Sequence, residues 1–504
     1  MLRPLDLVVD DRGAPLGYIM RFAGPSYSLC PVIPRSFRER HGIGPDQAFQ
    51  LVLRLRTGIE NVHRAGVLLV DIHERNFLVD PSFQDICFID VDSYQTPHYP
   101  ATALLPVVRD WHATGGFSDG SDWFSFAVLS FQLLTGLHPY KGKHPRVRSL
   151  EERMKGNLSV FDPCVRTPAA WYGLDVIPDN YLSWFRAVLQ EGKRLAPPAD
   201  GKAARVAAAA LCAPPSTLTV REVFAAPAPI RGAVRVRDGV ALWTTEGVYH
   251  DRRRILDVPP GCFGVGFVPT TGRLVVAAIQ GGTLALIDGS DGSPVPLALR
   301  ADEAMTCGGR IYVRSRDRIV EIRLLQAGDK LVAVPQVAGQ VLPLATRLWP
   351  GVALQNLLGA VYASVYPRTG ESRQVRLPEL DGACVMSAAF DRGVLMVHAE
   401  RGGAYQRWVF RFDQRDSGYD ARREAGDPAA EVSFAVLDNG VCVALSGEDE
   451  VEVFSSARGD SGLRRIEDVG VSEGRLVTDG SRLLTVSGQT LRWISLTSPP
   501  RVSR

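Results

Sequence analysis

Lysine is almost missing from this chain. Of its 57 basic residues only six are lysine, at positions 141, 143, 155, 193, 202 and 330, and the other 51 are arginine. The first 140 residues therefore carry no ε-ammonium group, which excludes any site there that is built on one. So strong an arginine bias reads as coding preference in a GC-rich bacterium. Net charge is also scarce. A formal balance of +2 supplies no overall basic field for nucleic acid or a membrane surface. The eight cysteines, at 30, 87, 164, 212, 262, 307, 384 and 442, include no C-x-x-C pair. They read as buried, reduced thiols, not as a disulfide framework or zinc site. The nine histidines contain no H-x-x-x-H or H-E-x-x-H spacing, so a histidine-based metal site has no support. No apolar run approaches the roughly 18 residues of a spanning helix. The opening MLRPLDLVVDDRG lacks the uninterrupted apolar core of a signal peptide. A cytoplasmic protein is expected, with no nucleic-acid or membrane partner.

What is present divides into two parts with different periods. The 504 residues are 45% apolar, enough for two to four domains with proper cores. In the first part, DQAFQLVLRLRTGIENVHRAG repeats its apolar residues every three or four positions and predicts a long helix ending at Gly66. SDWFSFAVLSFQLLTG is apolar on nearly every side. It predicts a buried helix that begins near Ser121 or Asp122 and stops at Gly136. NYLSWFRAVLQEGK predicts a third, amphipathic helix. The Pro- and Ala-rich RLAPPADGKAARVAAAALCAPPS then marks a boundary, placed between residues 212 and 213.

Beyond it the pattern is short alternating strands. One unit recurs, from DGVALWTTEGVYH to DGSRLLTVSGQTLRWISL, led by Gly239, Gly272, Gly309, Gly359, Gly393, Gly440 and Gly480. Their spacings run from 33 to 50 residues, the length range of a four-stranded propeller blade. About seven blades are expected, with six or eight as near alternatives. No WD or GH pair recurs, so the repeat resembles propellers in general and no named repeat family. No convergent acids, histidines or nucleophile mark the loops as catalytic. Trp243 and Trp408 read as blade packing, and the part as a whole reads as an interaction module.

Chemistry is concentrated in LLVDIHERNFLVD and the ICFIDVDSYQ that follows it. Asp71 and Asn76 stand five positions apart, and Asp90 and Asp92 come after the next apolar run. Phosphoryl transfer asks for this kind of set: an acid to orient the attacking hydroxyl, and ligands to hold magnesium on the phosphates. Here the chain resembles the protein kinase family over roughly residues 5 to 205. IENVHRAGVLLVDIHERNFLV resembles the helix and catalytic loop, and CFIDVDSYQ the strand and DFG segment. SDWFSFAVLSFQLLTGLHPYKG resembles the buried helix with Asp122 near its start. GYIMRFAGPSYSLCPVI resembles the last strand of the N-lobe and the hinge. The D-x-D-S-[FY]-Q wording is closest to a bacterial kinase-like group encoded beside PP2C phosphatases and von Willebrand A-domain proteins. The resemblance implies a multidomain α+β and all-β fold. A truncated, mainly α kinase-like lobe would occupy 1–212 and a roughly seven-bladed propeller 213–504. It also implies Asp71 as the base, Asn76 with it, and Asp90, Asn76 and Asp92 as magnesium ligands.

The departures matter as much. The HRD triplet is Leu69-Val70-Asp71, the following lysine is His73, and the DFG glycine is Asp92. No APE motif precedes Asp122, and no Gly-rich loop or strand lysine precedes the hinge-like segment. Two readings stay open. One is a pseudokinase scaffold joined to a propeller, without a cofactor, in a bacterial phosphosignalling or stress/defence-type system. The other is an active Mg-ATP-dependent Ser/Thr kinase whose N-lobe comes from a partner or a missed upstream start. Expected partners are a chain that completes the lobe, a PP2C-type phosphatase or a von Willebrand A-domain protein. Tyr18, Met20 and Phe22 would form the docking surface, because a bare apolar strand invites association.

Overall fold

In the computed structural model the chain divides into two compact units, Met1–Cys212 and Ala213–Arg504. The structure describes all residues except 1, 25, 102–104, 114–115, 169–170, 201–217, 414–417, 426–430, 447–449, 468–473 and 497–504.

The first unit is assembled around three helices. The first of these, α2 (Pro45–Arg64), follows a shorter α1 (Arg35–His41). It buries Phe49, Val52, Leu55, Ile59 and Val62, the apolar face anticipated from its spacing. Helix α3 (Asp119–Thr135) starts with a capping box in which the Ser118 and Ser121 side chains each bond the other's backbone N–H. It ends at Gly136, whose φ of 77° suits a residue without Cβ. Every residue from Ser121 to Thr135 is buried, so α3 is the centre of the unit. The short α4 (Leu150–Lys155) follows, and then α5 (Asp179–Leu189), which buries Tyr181, Trp184, Phe185, Val188 and Leu189. α3 packs against both α2 and α5. Two small sheets complete the unit. β1 (Pro4–Val9) and β2 (Pro15–Met20) form a separate hairpin. β3 (Tyr27–Ser28), β4 (Phe77–Val79) and β5 (Ile86–Phe88) form a three-stranded sheet. Gly58 seats this sheet on α2: a Cβ there would lie 2.3 Å from the Phe88 ring.

A mainly α kinase-like lobe does not form, and that expectation is corrected. Strand makes up 43% of the described residues and helix 16%, with no substantial helical kinase lobe. The fold class is predominantly β. The physical reason lies between the helices. Prolines at 97, 100 and 106, and again at 163, 168 and 178, remove backbone donors and block helix continuation. The chain between α2 and α3, and between α4 and α5, therefore runs mostly as loops and turns. The expectation that the thiols are buried also fails in part: Cys164 and Cys384 are exposed. No disulfide joins any of the seven described cysteines. No described helix is long and apolar enough to cross a membrane.

The second unit is propeller-like. Its described strands form seven antiparallel meander sheets, the second three-stranded and the others four-stranded. The last sheet takes its outer strand from the start of the unit, where β6 (Leu218–Ala225) pairs with Thr490–Leu496. Closure of this kind hides two sheet edges that would otherwise invite foreign strands. The first strands of successive sheets touch one another all the way round, and the first strand of the seventh touches that of the first. Hydrogen bonds between turns bind one mouth of this ring. They run from Phe267 N to Gly309 O (3.1 Å), Gly351 N to Thr306 O (3.1 Å), Phe390 N to Pro350 O (2.8 Å) and Asp438 N to Gly480 O (2.8 Å).

All seven repeat glycines have positive φ, as hairpin turns demand. Six sit in the first hairpin of their sheet. Gly359 sits in the second hairpin of the fourth sheet, between Val352–Leu357 and Ala360–Val365. The residue in the equivalent first turn is Gly351, with φ 79°, 42 residues after Gly309 and 42 before Gly393. A turn glycine reports a positive φ but not which hairpin it serves, and the spacing misassigned this blade for that reason. Trp243 packs in the core between the first two sheets, and Trp408 against the core of the fourth and fifth.

Candidate functional site

The acidic loop of the first unit is held from below by one carboxylate. Asp122 is fully buried near the start of α3. It accepts hydrogen bonds from Leu69 N (2.8 Å) and Val70 N (3.0 Å), and His63 Nε2 lies 2.8 Å away. These bonds hold Val70 at φ 65°, a left-handed conformation that costs a β-branched residue strain. The loop is pinned on its other side by Leu68, which exchanges backbone bonds of 3.0 and 2.9 Å with Gln95.

Held this way, Asp71 and Asn76 come together. Asn76 Nδ2 donates to the Asp71 backbone oxygen at 2.8 Å. Ile89 N donates to Asn76 O at 3.0 Å, which brings the segment carrying Asp90 alongside. The Asp71 carboxylate is occupied at both oxygens. Oδ1 accepts from Leu105 N at 2.9 Å, and Oδ2 lies 3.2 Å from His73 Nε2. Burial works to raise the pKa of Asp71, but the His73 hydrogen bond and charge, with the Leu105 amide, outweigh it. They hold the carboxyl below its usual value.

Asp90 and Asp92 form an exposed pair at the rim. Asp90 adopts φ 62° at the head of a single 3-10 turn. The hydrogen bond to Asp92, then burial, then the charges of Asp92 and Asp71 push its pKa up to about 6. Two carboxyls that share a proton repel once both are ionised. The donors that Asp90, Asp92 and Asn76 offer are oxygens, the kind magnesium takes. No group of three or more His, Cys, Asp or Glu able to hold a metal occurs among the described residues.

The residues expected to dock a partner belong to a different sheet from the strands that flank this loop. Tyr18 and Met20 lie on β2, with Phe22 just beyond it, and they are 51%, 42% and 87% exposed. Leu5, Leu7, Val8 and Val9 on β1 are exposed as well. Both strands are open to solvent along their whole length. The hairpin is tied to the unit at its base by Leu2 N to Phe88 O, 2.8 Å.

A second constellation escaped the sequence reading. Arginines cluster at the hydrogen-bonded mouth of the second unit: Arg235, Arg237, Arg310 and Arg392. The available signal was local. Each adjoins or lies near a repeat glycine, as in RVRDG, GGR and DRG. A search confined to acids, histidines and nucleophiles passes over it.

No protein-family model matches the chain, and no curated protein matches it. Among solved structures, the kinase PK-1 of Cydia pomonella granulovirus is 14% identical with a TM-score of 0.29, covering 38% of this chain and 67% of its own. Hsv2 of Kluyveromyces marxianus is 13% identical with a TM-score of 0.35, covering 54% of this chain and 98% of its own. Hsv2 of Kluyveromyces lactis is 13% identical with a TM-score of 0.31, covering 51% and 89%. Likenesses this weak in identity and in structural agreement assign neither fold nor activity.

Proposed function

We propose that this protein is a non-catalytic scaffold of the pseudokinase type, which mediates protein–protein contacts in a phosphosignalling or stress/defence-type system. The observation that carries this reading is the state of Asp71. A general base must accept a proton from the attacking hydroxyl, and both oxygens of this carboxylate already have partners in Leu105 and His73. At Asp90 the strongest influence is another carboxyl group, Asp92, which disfavours further negative charge. The loop therefore serves as a brace between α3, the β4–β5 hairpin and the segment around residue 105.

The docking surface in this reading is the β1–β2 hairpin. Two strands alone are marginally stable in water, and this pair exposes apolar side chains from both strands. A protein partner would bury them. A PP2C-type phosphatase or a von Willebrand A-domain protein fits the D-x-D-S-Y-Q element. Co-purification of the full chain with such a protein from the same organism tests the assignment. Met20→Asp with Phe22→Asp is expected to reduce recovery of the partner at least tenfold while leaving the melting temperature within about 2 °C. Undiminished recovery would contradict it. A specific observation also favours the active Ser/Thr kinase as a second reading: Asp71, Asn76 and Asp90 do converge.

A further inference from the structure

The second unit contains a cavity of about 990 Å³ lined by the first strands of all seven sheets, so it follows the axis of the ring. Its charge is lopsided. Seven arginines line it against two acids, Asp391 and Asp413, with no lysine or glutamate among the described lining residues. The whole chain carries a formal charge of only +2, so this is a local accumulation and not a general basic character.

The four arginines at the mouth are only partly neutralised by their surroundings. Asp438 lies 2.8 Å from Arg235 and 2.5 Å from Arg392, one carboxylate between two guanidiniums. Arg237 donates to the carbonyls of Pro269 and Thr270. Arg310 donates to the Tyr366 carbonyl, and its Nη1 is buried without a hydrogen-bond partner. A buried N–H of a permanent cation that lacks an acceptor is costly, and Arg310 is among the residues that line the cavity. Guanidinium groups suit phosphate because they can donate two parallel bonds. The cavity also has apolar walls, including Trp349 and Phe390. Its volume lies at the upper end of the roughly 300–1,000 Å³ typical of small-molecule sites.

We propose that the axial cavity of the second unit binds a small organic phosphate. Arg235, Arg237, Arg310 and Arg392 hold its phosphate groups at the hydrogen-bonded mouth, and Trp349 and Phe390 face its organic part. This deepens the reading of the second unit as a binding module and rests on it. Asp391, whose carboxylate accepts from Val436 N at 2.9 Å, opposes an incoming anion.

The test is isothermal titration calorimetry of the full chain in magnesium-free, low-salt buffer, with inorganic pyrophosphate and phenyl phosphate as probes. Both should bind at one site per chain. Arg310→Gln and Arg392→Gln should each weaken pyrophosphate at least tenfold, and Asp391→Asn should tighten it several-fold. Arg237 is exposed, so Arg237→Gln is least able to disturb folding, and it should weaken binding about threefold or more. Absence of pyrophosphate binding overturns the proposal. So does an affinity unchanged in Arg237→Gln, or citrate binding as tightly as pyrophosphate. Any of these failures leaves the scaffold reading untouched, because that reading is judged by partner recovery through the β1–β2 hairpin.

Discussion

Asp122 ties two distant stretches of the first unit, with Leu69 and Val70 some fifty positions away in sequence. Asp122→Ala would leave two buried backbone donors without an acceptor, at about 1–3 kcal/mol each. Urea unfolding of the first unit, followed by tryptophan fluorescence, should show a loss of about 2–6 kcal/mol. A loss below about 1 kcal/mol would contradict the bracing role. Asp391 makes a different prediction. Burial pushes its pKa up to about 6, above the ordinary 3.8. Between those values the folded state holds a proton that the unfolded chain has released, so stability falls as pH rises through the window. Asp391→Asn keeps an acceptor for Val436 N but removes the ionisation. The difference in melting temperature between variant and parent should grow from about pH 4 to pH 6 in favour of the variant, then level off. Parallel curves would refute the assignment.

At the scale of elements, the turn glycines separate conformational from steric demand. Gly359 has φ 90° and nothing within 4 Å of an added Cβ, so Gly359→Ala carries backbone strain alone. Gly351 has φ 79°, and its Cβ would lie 2.3 Å from the Phe390 carbonyl oxygen. Chemical denaturation should show a loss of about 1 kcal/mol for Gly359→Ala and at least twice that for Gly351→Ala. Equal losses would mean that the turns of adjacent sheets are not locked together. These two glycines also mark what sequence could tell. Positive φ was legible at every repeat glycine, and helix α3 was legible in SDWFSFAVLSFQLLTG from its apolar run and its Gly136 stop, although its N-cap is Ser118, ahead of the expected start. Gly359 was placed in the wrong hairpin because glycine carries no record of which strand pair it joins. The mainly α lobe was overcalled because three real helices were extrapolated across proline-rich connections. The β1–β2 pairing was missed because Pro4–Val9 shows no clean alternation, being exposed throughout.

At the scale of the molecule, the two candidate sites differ in how they are assembled. The acidic loop of the first unit lies largely within about twenty consecutive residues, so its members could be named from the sequence. The arginine mouth of the second unit draws on turns far apart in the chain, such as Arg235 and Asp438 at a separation of 203 residues. Only ring closure brings them together; the local signal, an arginine beside a turn glycine, does not report that they meet. The central proposal concerns the loop: it serves as a brace through Asp122 and Asp71, and Asp71 and Asp90 do not transfer phosphate. It is tested most directly by thermal unfolding of the full chain against Mg-ATP up to millimolar concentration, in parent and Asp90→Ala. Stabilisation by a ligand follows RT ln(1 + [L]/Kd), so a loop without a working nucleotide site should leave the first unit's melting temperature within about 1 °C in both proteins. A rise of several degrees that disappears in Asp90→Ala would contradict the account and establish a functional metal–phosphate site.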